Sequence, residues 1–259
     1  MDWRTRPSLG RAALGLAAAC LLSGLPARAA ESTLTIARAE EIGEVTARLR
    51  AGLRSALETG ESARAQWLRL TWQGIDCYEP AAVARTLDRM KSDIDVATST
   101  DSRLAALQVY VSAKLDSIGR MPPTLIITER NEAGPVRQLF GVRADQADAS
   151  WRELRAFAQN LAEMDLVTDL IVASDPRDAK IALQVVSHGM RRVTLPTDVQ
   201  VYNVWRGAYR LTAEKPGYKS GVLEVELMGQ RSAGISCTLA KARSADKSRC
   251  VQEKGSATR

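Results

Sequence analysis

Apolar residues in the first half of the chain recur at intervals of three and four, which places them on one face of a helix. The pattern predicts helices that begin near Ile36, Ala65, Pro80 and Asp101. The first helix stops at Thr59-Gly60, Pro80 suits the first position of its helix, and the fourth helix ends at Gly119. Because none of these helices could bury its apolar stripe alone, they predict a small antiparallel bundle.

The segment Ala65–Gln73 is ambiguous, because its residues also alternate as they would in a strand; we favour a helix. After Gly119 the chain becomes rich in β-branched residues, and strands are predicted over 124–128 and 136–142, with a turn between them. A further helix starts near Asp148, which is a candidate N-cap.

From Leu166 onward the apolar positions alternate, and turn residues separate short strand-like segments. The predicted strands span 166–173, 180–186, 199–204, 209–213, 222–228 and 235–239. This spacing is typical of a small antiparallel β-sandwich. The predicted class is therefore α+β. A mainly helical domain over 30–165, with short strands near 124–142, precedes a sandwich over 166–240 and a basic flexible tail over 241–259.

The first 29 residues have the features of a cleavable secretory signal. Three arginines precede an apolar run over 12–25, and Ala27-Arg28-Ala29 supplies the small-x-small pattern of a cleavage site. That run is shorter than the roughly 20 residues of a membrane-spanning helix. Cys20 follows three alanines, as in a lipoprotein, but the apolar run continues beyond it, which favours cleavage after Ala29. We expect a periplasmic or secreted bacterial protein without a transmembrane span.

Removal of the signal lowers the formal net charge from +6 to about +3 and leaves three cysteines. In an oxidising compartment they tend to pair. Cys237 and Cys250 are close in sequence and form the favoured disulfide, worth roughly 3 kcal/mol in the chain-entropy model. Cys77 is then left over and is expected to be buried. The chain is 45% hydrophobic and 25% charged, which is typical of a globular protein.

Several short motifs in the second half occur together. They lie in Ser174–Ile181, Thr194–Pro196, Trp205–Thr212 and Lys215–Lys219. As a set, over about residues 166–230, they resemble the PEGA domain family; the N-terminal region resembles no family that we recognise. Asp178 stands where the family has glycine, and Ser187-His-Gly189 replaces its Asp-Gly hairpin. The resemblance implies an accessory β module of surface and envelope proteins, with no catalytic residues to transfer.

Few residues are candidates for catalysis. His188 is the single histidine, which excludes sites with two histidine ligands, and we predict no metal and no cofactor. Cys77 paired with His188 could form a thiol nucleophile, although the two residues fall in different predicted domains. There is no Gly-x-Ser-x-Gly turn and no glycine-rich phosphate loop. We therefore assign no catalytic residue.

Aromatic and basic residues supply the candidates for binding. Trp67 and Trp72 could form a stacking platform for sugars, although core packing is the alternative. In the β module, the candidate contacts are Trp205, Arg206, Tyr209 and Tyr218. From Leu166 to Arg259 there are fifteen Lys or Arg and nine Asp or Glu, which suits an anionic cell-wall or lipid polymer. No nucleic-acid-binding motif is present.

Together these features predict an exported, non-enzymatic envelope protein with an interaction or scaffolding role, acting through its PEGA-like module on an envelope protein or an anionic polymer. The alternatives are a periplasmic hydrolase that uses Cys77 and a glycan-binding protein that uses the helical domain. The sequence leaves the oligomeric state open.

Overall fold

The computed structural model of the chain describes residues 36–72, 74–118, 124–186, 192–195 and 201–253. The predicted signal segment, with Cys20, Ala27 and Ala29, lies outside these residues, as do Gly119 and His188. The side chain of Trp72 is also outside the description. In the described part of the chain, no helix has an apolar stretch long enough to cross a membrane.

Helices and strands alternate in the first part of the described chain, and strands alone follow, which confirms the predicted α+β class. The helices are α1 (Ala39–Arg64), α2 (Pro80–Ser99), α3 (Ala105–Ser117, after a 3₁₀ turn at Ser102–Leu104) and α4 (Ala144–Glu163). The strands are β1 (Arg69–Trp72), β2 (Ile75–Tyr78), β3 (Thr124–Asn131), β4 (Gly134–Arg143), β5 (Val167–Asp175), β6 (Lys180–Val185), β7 (Val193–Thr194), β8 (Val201–Trp205), β9 (Gly207–Glu214), β10 (Gly221–Leu227), β11 (Ser232–Thr238) and β12 (Arg249–Gln252).

Helix α1 continues past Thr59-Gly60, so the predicted stop there is wrong. Gly60 is buried inside the helix, and a Cβ at this position would lie 2.8 Å from Met90 Sδ and 2.9 Å from Trp151 Cη2. The glycine therefore lets α1 approach α2 and α4 closely. A glycine that ends a helix and one that permits close packing look the same in the sequence.

The segment Ala65–Gln73 contains strand β1, so the helix favoured for it is wrong. Strand β1 pairs antiparallel with β2, and Gly74 between them has a φ of +79°, which glycine adopts without strain. Asp76 accepts hydrogen bonds from Arg69 and from Thr71 Oγ1 across the hairpin. The alternation in this segment was thus the correct signal, because a tight turn and a partner strand follow it directly.

Two helix starts were predicted from candidate caps, and one is confirmed. Asp101 Oδ1 accepts from the backbone N–H of Arg103 and caps the 3₁₀ turn before α3. Helix α4 instead begins at Ala144, and Asp148 lies in its second turn, where it pairs with Arg64 at 2.6 Å. The start of α4 is set by its direct continuation from β4, whose last residue, Arg143, is its N-cap without a side-chain cap bond.

Three four-stranded sheets form, one in the helical part and two in the sandwich. The N-terminal sheet has the order β1-β2-β4-β3 and is antiparallel throughout. The sandwich sheets have the orders β10-β9-β6-β7 and β12-β11-β5-β8. Strands β5 and β11 run parallel, so the predicted fully antiparallel sandwich is wrong in this one pairing. A parallel neighbour requires a long connection, and the five intervening strands between β5 and β11 supply it.

The chain beyond residue 240 is not wholly a flexible tail, and that prediction is wrong for its central part. Residues 249–252 form β12, which pairs with β11 and places Cys250 opposite Cys237. The predicted disulfide between them is confirmed, with a Cα–Cα distance of 4.0 Å. Residues 254–259 lie outside the description. Polar composition concealed this strand because only one of its residues is buried.

Two hydrophobic cores meet at the junction between helices and sandwich. Trp205, at the end of β8, packs in the helical core, whereas Ala106 of α3 packs in the sandwich core. Gly207 of β9 faces Ala106 so closely that a Cβ would lie 2.2 Å from the Ala106 carbonyl carbon. The N-terminal residues of the described chain add to the junction, where the N–H of Ala37 donates to Asn203 O at 2.7 Å.

Candidate interaction surface

Trp67, a candidate for sugar stacking, is part of the helical core and is 8% exposed. Its Nε1 donates to Thr86 Oγ1 at 2.9 Å, and its ring packs edge-on against Tyr78 and Trp151. A buried indole with its N–H already bonded offers no face to a ligand. The core-packing alternative is therefore correct for Trp67.

The predicted contacts of the β module are buried, apart from Tyr218. Trp205 and Tyr209 are fully enclosed, and Tyr209 Oη donates to Trp205 O at 2.6 Å. Burial raises the pKa of the Tyr209 phenol. The Trp-Arg-Gly segment would supply contacts only if it were exposed, but it lies where the two cores meet, so Trp205 and Tyr209 are not surface contacts. Tyr218 is half-buried and forms a bridge with Lys241.

Arg206 is also an interior residue, with 6% of its surface exposed. Its Nη1 donates to the Met228 carbonyl, and its Nε has no hydrogen-bond partner. Burial lowers the pKa of the guanidinium, and the charge of Asp165 opposes that change. Arg206 therefore stabilises the junction between β8 and the end of β10 rather than presenting its charge to a partner.

Cys77 is buried, as predicted, and belongs to neither hydrophobic core. Burial raises the pKa of its thiol, and the Arg143 charge opposes this by a smaller amount. A raised pKa keeps the sulfur protonated, whereas a nucleophilic cysteine needs a thiolate. His188 lies outside the described residues, so the structure does not test the pairing with Cys77. Within the described chain, no three His, Cys, Asp or Glu residues gather as metal ligands.

Cys77 lies on the face of the N-terminal sheet that points away from the helices. In an antiparallel sheet, directly opposed residues share a face and alternate residues change face. The observed register therefore assigns one set of residues to the face away from the helices. We call this set the open face: Leu70, Ile75, Cys77, Leu125, Leu139, Gly141 and Arg143, the last of which lies opposite Cys77.

The opposite face of the same sheet packs against the helices. Tyr78 and Val142 lie there and join the helical core with Trp67 and Trp151. No described element packs against the open face, whose Ile75 is 41% exposed and whose leucines are half-buried. Cys77 is in close contact with the neighbouring strand of its own sheet, since a Cβ on Gly141 would lie 3.0 Å from Cys77 Cβ.

The apolar surface extends onto the other side of the β3–β4 hairpin. Ile126 and Phe140 lie opposite each other in the register and share the helix-facing side with Val142. The helices cover only the Val142 end, so Ile126 is 60% exposed and Phe140 is 53% exposed. Strand β3 is also the edge of its sheet, because β4 is its only partner among the described strands. The hairpin thus exposes apolar residues on both sides and, among the described strands, is open at one edge.

Three grooves with charged lining residues lie along α1, and the one between α1 and α2 is lined by Glu58, Ser62 and Arg89. Two others flank the same helix. One lies between α1 and α4 and is lined by Arg50, Arg54 and Glu163, with Arg50 Nε donating to Ala162 O at 2.7 Å. The other separates α1 from the outer side of β5 and contains Asp169 and Arg231. The charged side chains in these grooves stay in contact with water, so none of the three shields a charged group from solvent as a catalytic site usually does. The open face is the stronger candidate.

A second surface is the loop between β11 and β12, which carries exposed cations. Its members, here called the basic loop, are Lys241, Arg243, Lys247 and Arg249. The Cys237–Cys250 disulfide closes this segment, and Lys219 Nζ donates to the carbonyls of Ser244 and Asp246 at 2.6 and 2.9 Å. The basic residues are therefore displayed on an ordered loop.

No family model and no curated protein matches the chain. The resemblance of residues 166–230 to PEGA domains accordingly stays a prediction. Sequence reasoning also missed the open face as a surface. The available signal was the alternation of residues 68–72, together with the consecutive apolar residues 125–127 and 139–140, which place apolar side chains on both faces of a hairpin.

Proposed function

We propose that the protein is an exported, non-enzymatic interaction protein of the cell envelope, and that its open face binds an apolar surface of a protein partner. The observation that carries this proposal is an apolar sheet face without a described covering layer. Contiguous exposed apolar area on a soluble fold is typical of protein interaction sites. Burial of Trp205 and Tyr209 moves the expected surface from the β module to the N-terminal sheet.

The choice of a protein partner follows from the charge of the surface. Arg143 lies opposite Cys77 and is the one described cation of the open face, where Asp145 pairs with it at 3.2 Å. An anionic polymer would therefore meet a single cation that is already paired, whereas the buried centres of protein interfaces are apolar and poor in charge. The Cys237–Cys250 disulfide supports export, since such bonds persist in oxidising compartments.

Site-specific photo-crosslinking in cells tests this proposal. A photoreactive residue at Ile75 samples the open face, and one at Val222, which is 53% exposed on the sandwich, is the matched control. We expect a discrete heterologous adduct from position 75 that Leu139→Asp in the same chain abolishes. The proposal fails if position 75 gives no adduct, or if the two positions give the same adducts. Folding of each variant is checked by its circular dichroism spectrum.

The competing hydrolase depends on Cys77, and thiol reactivity separates it from the interaction protein. A buried thiol with a raised pKa should react with a disulfide reagent at neutral pH far more slowly than the same thiol in the unfolded chain. Labelling of the native protein as fast as that of the unfolded chain would restore the hydrolase. The Cys77→Ala variant is the blank.

The basic loop favours a second candidate function, which is binding to an anionic lipid or cell-wall polymer. Because the loop is already ordered, it loses little conformational entropy when its basic side chains bind a ligand. Replacing Lys241, Arg243 and Lys247 by Gln should abolish co-sedimentation with phosphatidylglycerol vesicles at low salt. Arg210→Gln is the control, because Arg210 is paired with Glu224 at 2.6 Å. Equal binding by both variants would remove this function. Substitution is preferable to deletion, which would remove Cys250.

The predicted processing is tested by the intact mass of the protein purified from the envelope fraction. Cleavage after Ala29 gives a chain that begins at Ala30. A mass that includes a diacylglyceryl group on Cys20 would show a lipoprotein instead, and a chain that keeps residues 1–29 would contradict the cleaved signal.

A further inference from the structure

The first five residues of the edge strand β3, residues 124–128, have none of the protective features that edge strands usually carry. Such edges are normally blocked by charged residues, proline or a bulge, because unpaired N–H and C=O groups otherwise recruit another strand. Residues 124–128 contain no charge and no proline, and the register irregularity of the hairpin comes only later, between Glu129 and Arg130. Five consecutive positions are therefore open to a further strand.

The sequence of these five positions is complementary to itself. Read in either direction, Thr-Leu-Ile-Ile-Thr has threonine at both ends and aliphatic residues between them. In an antiparallel pair centred on Ile126, each Thr124 lies opposite Thr128 of the other copy, and Ile126 lies opposite itself. Cross-strand pairs of like apolar and threonine residues stabilise antiparallel sheets. Few partners would match this edge as well as a second copy does.

Other registers fit less well. Opposed residues in one continuous sheet must share a face, so the two-fold axis must pass through a residue and not between two residues. The nearest alternatives are therefore an axis at residue 125 and an axis at residue 127. Centring on residue 127 places Leu125 opposite Glu129, and centring on residue 125 places Thr124 opposite Ile126. Only the register centred on Ile126 keeps every pair within one chemical type.

This register also accounts for the two exposed apolar residues on the helix-facing side. A two-fold axis perpendicular to the sheet at Ile126 leaves both helical layers on the same side of the combined sheet. Ile126, which the helices of one copy do not cover, would then lie beside its counterpart between the two helical layers, and Phe140 of each copy would flank this pair one strand further from the axis. The open faces form one continuous surface on the other side and stay accessible.

We infer that two copies of this chain associate through antiparallel pairing of β3 with β3, centred on Ile126, to form a continuous eight-stranded sheet. The contact is isologous, as closed two-fold dimers require. Because the paired segment is short, the interface lies at the small end of the range, and we expect micromolar dissociation. This inference does not depend on the proposed function, because it uses the edge of the sheet and leaves the open face free.

Sedimentation equilibrium of the purified mature chain, over a concentration series into the high micromolar range, tests the inference. We expect a monomer–dimer equilibrium that Ile126→Asp weakens at least about tenfold, since it places two like charges on the axis. Val222→Asp, at a comparably exposed strand position, should leave the equilibrium unchanged. A chain that stays monomeric throughout the series overturns the inference.

Cysteine crosslinking tests the register itself and does not rely on a disruptive substitution. In a Cys77→Ala background, Ile126→Cys places a thiol opposite its own copy at about 4.5–5.5 Å between Cα atoms, within disulfide range. Mild oxidation should convert this variant to a covalent dimer, whereas Val222→Cys should stay monomeric. A dimer that does not crosslink at position 126 uses another interface and contradicts the proposed pairing. Crosslinking at position 126 without an adduct from Ile75 would retain the dimer and reject the proposed function.

Discussion

The N-terminal sheet and the C-terminal sandwich contain strands of similar apolar content, but they are covered differently. Each sandwich sheet packs its inner face against the other, so that Leu170, Leu183 and Leu211 are fully buried. The N-terminal sheet has helices on one face and no described layer on the other, where Leu125 and Leu139 stay half-exposed. The same residue type is therefore core in one region and surface in the other.

An apolar strand therefore indicates a buried environment only when a second layer is available to cover it. The sandwich supplies its own second layer, and its six predicted strands all form. The N-terminal hairpins have one helical layer for two apolar faces. The uncovered face is then either a cost in solubility or an interaction site, and matched substitutions in the two regions should have unequal effects.

The largest effect is expected at Gly207, where the helical part touches the sandwich. Gly207→Ala introduces a Cβ that would lie 2.2 Å from the backbone of Ala106, which cannot move like a flexible side chain. We expect a loss of about 4 kcal/mol or more in the free energy of unfolding, measured by urea denaturation. Gly217→Ala, at a φ of +81° in open space, should cost only about 1 kcal/mol. Equal losses would contradict the close contact.

Matched leucine truncations compare the two apolar environments directly. Leu183→Ala removes a fully buried side chain from the sandwich core and should lower the free energy of unfolding by about 3 to 4 kcal/mol. Leu139→Ala on the open face should cost less than about 1 kcal/mol, because solvent already reaches that side chain. A similar loss for both variants would show that the open face is covered by part of the protein itself.

The cysteines provide the next comparison. Replacing Cys237 and Cys250 together by Ala removes the crosslink in the sandwich and should cost about 3 kcal/mol in the chain-entropy model. Cys77→Ala in the N-terminal sheet should cost about 1 kcal/mol, the transfer free energy of one small buried group. Thermal unfolding with and without reductant measures both. A wild-type protein that is insensitive to reductant would contradict the first expectation.

The smallest effect concerns a partly buried carboxylate in the helical half. Asp101 accepts three hydrogen bonds from Arg103 and one from Arg48, and these interactions hold its pKa below the ordinary value. A carboxyl group with a lowered folded-state pKa contributes stability above its unfolded pKa of about 4 and loses it as the pH falls through the folded value. Asp101→Asn should therefore cost about 1 to 2 kcal/mol at pH 7 and progressively less below pH 4.

The control for this charge lies in the sandwich. Glu224 pairs with Arg210 on the surface, where both side chains are more than half exposed. Glu224→Gln should change the free energy of unfolding by less than about 0.5 kcal/mol at either pH, because water screens an exposed pair. A pH-independent effect of Asp101→Asn would show that its hydrogen-bond geometry, and not its charge, is what stabilises the turn.

The residues that sequence analysis located correctly are those whose pattern is local. Pro80 opens α2, Asp101 caps the turn before α3, and the alternating segments after Leu166 form strands. Cys237 and Cys250 pair because adjacent strands β11 and β12 place them opposite each other. In each of these cases the deciding interaction lies within the segment or with its next neighbour along the chain.

The errors share a different origin. Gly60 was mistaken for a helix stop because its role depends on Met90 and Trp151, which are distant in sequence. Residues 249–252 were assigned to a tail because their strand needs β11 as a partner. Trp205 and Arg206 were proposed as surface contacts, because the sequence does not show that the helical core packs against that turn. Only the tertiary fold brings the two together.

The sequence by itself determined the α+β class, most of the strands, the disulfide and the buried state of Cys77. Periodicity and turn chemistry act over a few residues, so they can be recognised in a single chain. The tertiary structure alone decided which apolar residues form the core, because burial depends on whether another layer lies above a face. For that reason the sequence shows apolar strands near 70 and 125, and only the fold shows that one of their faces is uncovered.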